Sequence, residues 1–164
     1  MGVIFVVSYI LMNTLFPDYF MTQSNGNPFV ETNFFYATKL EDILRSYGET
    51  GRACYIRLSL SYDFILPLQY SLFFASCSIL LLKKRTGVKL QRTLLLIGGV
   101  LCLSDWLENT FIITAIIRFP NLGVLPVFAQ TMTFLKTGLT FFFIAAIIVG
   151  IAVLLVNKIR RTPS

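Results

Sequence analysis

The sequence contains no histidine and only three cysteines in 164 residues. Without an imidazole, His-ligated haem, His-ligated zinc and any histidine general base are excluded. Cys54, Cys77 and Cys102 form no C-x-x-C pair, which argues against thiol–disulfide exchange. No phosphate loop or dinucleotide fingerprint occurs. Gly98-Gly99 falls inside an apolar stretch and, like Gly138 and Gly150, reads as close helix packing. No metal and no cofactor is expected.

Charge is also scarce, and its gaps carry the fold. Four stretches, at about residues 2–16, 58–82, 93–117 and 137–156, are almost free of charged side chains. At about 1.5 Å per residue, some 20 helical residues cross the hydrocarbon core of a bilayer. The composition agrees: 55% hydrophobic, 13% charged and 16 Phe, with a mean hydropathy of +0.73. The expected fold is all-α, a single polytopic membrane domain over residues 1–164 with four transmembrane helices. The first stretch is short, but no basic n-region or small-residue cleavage site precedes Pro17, so a retained span is expected rather than a signal peptide.

Acids are absent from two basic segments. Lys83, Lys84, Arg85, Lys89 and Arg92 follow the second stretch, and Lys158, Arg160 and Arg161 follow the fourth. The loop over residues 17–57 instead mixes Lys39, Arg45, Arg52 and Arg57 with Asp18, Glu31, Glu41, Asp42 and Glu49. The positive-inside rule then sets both termini in the cytoplasm and the 17–57 loop outside a cell (inner) membrane. The net charge of +6 is accounted for by these orientation signals, and no nucleic-acid partner is expected.

Within the external loop, Thr38 and Glu41 have capping-box spacing, and Leu40, Ile43, Leu44 and Tyr47 recur with helical period up to Gly48. A short amphipathic helix over residues 38–48 is expected on the outer surface, as a lid on the bundle or a gate. Gly48 and Gly51 bracket Glu49-Thr50, a spacing that predicts a tight turn into the second span. That span could extend outward to near Gly51, and the fourth to near Pro126.

The residues needing explanation are polar groups inside the apolar stretches. Asp63, Gln69 and Tyr70 lie around Pro67; Asp105, Glu108 and Asn109 share one helix face; Lys136 stands near the start of the fourth span. Counted from the basic loops, all fall in the outer half of the membrane, with Asp63 and Lys136 nearer the outer surface than Asp105 and Glu108. A charge there costs a few kcal/mol or more to insert, so these groups should face the bundle interior and pair. In one reading Lys136, with Arg52 or Arg57, neutralises the acids and fixes helix register. In the other, they line an outward-facing polar pocket for a small molecule, lipid headgroup or cation. Facing carboxylates could also share a proton, as acid–base chemistry or coupled transport requires.

Residues 36–55, Asp63 with Pro67 and Tyr70, and Asp105-Trp106-Leu107-Glu108-Asn109 together resemble a family of uncharacterised, small, four-span bacterial integral membrane proteins. The resemblance runs from Tyr36 to Lys136; it implies fold and membrane location and no activity. A looser likeness of architecture is to emopamil-binding, sterol-isomerase-like four-helix domains, which also set acids in a membrane pocket. Three functions follow as expectations: binding of a small molecule or lipid, acid–base catalysis on a lipid or isoprenoid through Asp63, Asp105 and Glu108, or a structural subunit. Membrane lipids are the expected partners, and the oligomeric state is left open.

Overall fold

The computed structural model describes the backbone of residues 2–82 and 87–159, and their side chains except at 2–9, 11–13 and 158. Lys83, Lys84, Arg85, Arg160 and Arg161, which carry much of the orientation argument, lie outside the described residues. Five helices make up the fold: α1 (Gly2–Gln23), α2 (Leu40–Ser61), α3 (Leu66–Leu82), α4 (Val88–Ile117) and α5 (Leu125–Ile159). No strand occurs among the described residues.

Helices α4 and α5 are each long and apolar enough to cross a membrane. A third candidate is the pair formed by residues 37–61 and 66–82, bent by 43° at the break between them. The stretch expected as a continuous second span is therefore interrupted over residues 62–65. Pro67 supplies the reason: it has no N–H to donate to the carbonyl of Asp63, and its ring collides with that carbonyl in a straight helix. Trp106 holds the break open from α4, donating from Nε1 to the Phe64 carbonyl at 2.9 Å and stacking on the Phe64 ring at 5.0 Å.

Helices α3, α4 and α5 pack on one another, and α1 packs on α2 and α3. Directions follow from the contacts. Tyr70 meets Asp105, and Ala75 meets Gly98, so α3 and α4 run antiparallel. Phe20 meets Tyr55, and Phe16 meets Tyr62, so α1 and α2 do likewise. This arrangement gathers the end of α1, the loop and α2 over one end of the bundle, called here the capped end. Gly98 and Gly150 lie at tight helix contacts, whereas Gly99 and Gly138 face open space, which narrows the packing role expected of all four.

Two features of the loop differ from expectation. The Thr38–Glu41 capping box is not formed: residues Ala37–Lys39 make a 3-10 turn, Lys39 is the N-cap, and no side chain caps the helix. Glu41 instead pairs with Arg45 one turn on, at 2.8 Å. Gly51 makes no turn and sits buried within α2. The turn falls at Gly48 alone, whose φ of 65° and ψ of −177° kink α2 in a left-handed region that glycine enters without steric cost. Before the kink, Leu40, Leu44 and Tyr47 are fully buried, while Asp42 and Arg45 are exposed. Carbonyls near the kink find side-chain donors: Arg52 on Leu44 at 2.9 Å and Asn25 on Ser46 at 3.0 Å.

Candidate functional site

The polar residues of α3, α4 and α5 meet at the capped end around Lys136. Its ammonium lies 2.5 Å from Glu108 Oε2 and 3.0 Å from Asp105 Oδ1. The i, i+3 spacing of the two acids puts both on the α4 face turned to α5, as the pattern required. Each carboxylate has a second, hydroxyl partner. Tyr70 donates to Asp105 Oδ2 at 2.6 Å, and Thr133, one turn before Lys136, donates to Glu108 Oε1 at 2.6 Å. Lys136 is thus level with Asp105 and Glu108 rather than nearer the surface, because α5 already begins at Leu125, about three turns earlier.

The network continues into the loop. Because the Thr133 hydrogen is committed to Glu108, Tyr36 donates to the Thr133 hydroxyl, 3.0 Å away. The Ala37 amide donates to Gln130 Oε1 at 2.7 Å, which pins the adjoining 3-10 turn onto α5. Burial, with the nearby Glu108 charge adding to it, holds the Tyr36 phenol well above the usual phenol range, so it remains a donor. Glu31 accepts a hydrogen bond from the Tyr55 hydroxyl.

Beside this network lies a cavity of about 550 Å³. Asp63, Asp105, Asn109, Lys136 and Tyr70 line its polar side, with Glu31 and Thr32 reaching it from the loop. Phe29, Leu66, Phe74 and Ile144 supply an apolar wall. Five residues expected at a site therefore surround one space. Glu108 does not: it is 0% exposed and reaches the cavity only through Lys136. Gln69 does not line the cavity either, and its buried Oε1 has no hydrogen-bond partner.

Arg52 and Arg57 do not join the acids. Arg52 stacks over the Phe119 ring, 4.5 Å from its centroid, and Arg57 lines a separate cleft between α1 and α2. Among the described residues, the ion pairs are Lys136 with Asp105, Lys136 with Glu108, and Arg45 with Glu41. Asp63 belongs to none of them.

Sequence reasoning missed Glu31 and Tyr36, and it noted Thr133 ahead of Lys136 without assigning it to the site. Glu31 lies in a polar loop with no periodicity to place it. The signal at Thr133 was its i, i+3 spacing from Lys136, which puts both on one helix face. No group of three or more Cys, Asp or Glu side chains among the described residues is arranged to hold a metal ion. In comparisons with known proteins, no family model matches the chain, and neither the curated proteins nor the solved structures give a match.

Proposed function

We propose that this is a four-span integral membrane protein whose cavity binds an amphipathic small molecule or lipid from the outer leaflet. In this reading α1, α3, α4 and α5 cross the bilayer, both termini are cytoplasmic, and the capped end faces outward. The acid-free basic segments around residues 83–92 and 158–161 support the orientation. The observation that carries the binding reading is the two-sided lining: an apolar wall of Phe29, Leu66, Phe74 and Ile144 against a polar side of Asp63, Asn109 and the Lys136 pair. Cavities of this size with few convergent polar groups suit small amphiphiles.

Filling the cavity tests it. Phe74→Trp should strip a co-purifying amphiphile from the protein in native mass spectrometry while the fold persists. An unchanged adduct, or none in the parent protein, would leave the polar network with only a structural role.

One observation favours a second reading, an enzyme acting on a lipid or isoprenoid. Asp63 lines the cavity outside every ion pair, whereas Asp105 and Glu108 are committed to Lys136. The acid–base group would then be Asp63, and Asp63→Asn should abolish turnover of the bound lipid.

A further inference from the structure

A second cleft, of about 460 Å³, lies between α1 and the part of α2 beyond the Gly48 kink. Glu49, Thr50, Arg57 and Ser61 line it from α2, and Tyr19 and Gln23 from α1. Residues 49, 53, 57 and 61 are spaced four apart, so they form one stripe along the helix. That stripe is the exposed side of α2, opposite the buried Tyr47, Gly51 and Tyr55. Its polarity is unusual, because it sets an acid at one end and a base near the other.

Among the described residues no ion pair includes Glu49 or Arg57. Eight residues separate them, about 12 Å of axial rise, which disfavours direct pairing. A ligand carrying both signs bridges such a gap. Arg57 offers a planar fork of donors matched to a phosphate, and Glu49 offers acceptors for an ammonium. Gln23, Thr50 and Ser61 add neutral hydrogen-bonding groups to the cleft lining.

The order of the charges along the bilayer normal selects the ligand. Arg57 lies nearer the break at 62–65 and the span α3; Glu49 lies nearer the Gly48 kink and the loop. In the proposed orientation the base is therefore deeper and the acid further out. A zwitterionic phospholipid in the outer leaflet has this same order, with its phosphate near the acyl chains and its amine toward water. Tyr19, 52% exposed at the cleft edge, is of the residue type enriched at that interface.

We infer that the α1–α2 cleft is a headgroup site for a phospholipid bearing a primary amine, of the phosphoethanolamine type. A primary ammonium donates hydrogen bonds to Glu49, which a trimethylammonium cannot do. An anionic headgroup lacks the cation and meets Glu49 as a like charge. The site is distinct from the cavity beside Lys136. It rests on the orientation proposed above, not on the cavity's ligand.

The test is native mass spectrometry of the delipidated full chain, re-exposed to equal amounts of phosphatidylethanolamine, phosphatidylcholine and phosphatidylglycerol with matched acyl chains. The parent should retain phosphatidylethanolamine about tenfold over the other two. Arg57→Gln should lose retention of all three, and Arg57→Lys should recover part of it. Glu49→Gln should keep lipid but lower phosphatidylethanolamine to the level of phosphatidylcholine. Lys39→Gln, an exposed cation outside the cleft, should leave the ranking unchanged. Equal retention by the parent, or a preference that survives Glu49→Gln, would overturn the inference. So would inorganic phosphate competing as well as the lipid, since the site would then take a free anion. The orientation is checked separately by a reporter fused at Asn25: a cytoplasmic signal defeats the orientation, while the lipid ranking still judges the cleft.

Discussion

The capped end and the far end of this bundle are held by different physics. At the capped end, Phe20, Tyr36, Tyr47 and Tyr55 are all 0% exposed, and the Lys136 network ties α3, α4, α5 and the loop together with directional bonds. The far end has a smaller core, Ala75, Leu94, Leu101 and Phe143, and its helices meet where Gly98 and Gly150 allow close approach. In an 18-residue apolar stretch of α5 only 11% is buried, against 50% in such a stretch of α4, so that part of α5 presents apolar side chains outward. Such a surface is stable where the solvent is itself apolar. Specificity of packing, and the groups able to hold a ligand, are concentrated at the capped end.

The largest expected effect comes from breaking the network there. Lys136→Met leaves Asp105 and Glu108 facing each other with no cation, at a cost of about 3–5 kcal/mol. It should sharply lower the melting temperature in detergent, and Glu108→Gln in the same chain should recover part of the loss. A stable single variant would show that the ion pairs do not hold the capped end.

At the far end the sensitive feature is packing distance. A Cβ at Gly150 would lie 2.7 Å from Leu81 Cβ, an atom fixed to its backbone. Gly150→Ala should therefore cost about 1–3 kcal/mol by overpacking. Gly99→Ala, facing open space one helix away, is the matched control and should melt with the parent. Equal melting for the two variants would remove close packing from the account of this end.

The smallest effect separates two arginines of α2. Arg52 bonds to the Leu44 carbonyl beside the kink and stacks over Phe119, so Arg52→Ala should cost about 1–2 kcal/mol. The Arg45–Glu41 pair is exposed by 65% and 50%, and Arg45→Ala should cost under about 0.5 kcal/mol. Equal melting temperatures would reduce Arg52 to an interfacial charge.

How much of this was legible in the sequence differs between the ends in the same way. Helix class and the far end follow from hydropathy alone, because a lipid-facing helix needs only to be apolar for a sufficient length. At the capped end, i, i+3 spacing exposed Asp105 and Glu108 as one face, and an isolated Lys136 announced a partner. The Lys39 N-cap was not readable, since the tie from Ala37 to Gln130 crosses 93 positions of sequence. Nor was the break at 62–65, where Pro67 was visible but the Trp106 clamp on Phe64 depends on tertiary contact. The expected roles of Arg52 and Arg57 relied on reach along α2, whereas tertiary contacts set Arg52 over Phe119 and Arg57 in the cleft beside α1.

In the proposed orientation the cavity opens outward under its loop. Thr32 is exposed at the cavity edge, and Leu90 is exposed near the start of α4 at the far end. In intact cells, a membrane-impermeant maleimide should label Thr32→Cys at once and Leu90→Cys only after permeabilisation. Labelling of Leu90→Cys from outside, with Thr32→Cys inert until the membrane is opened, would contradict it.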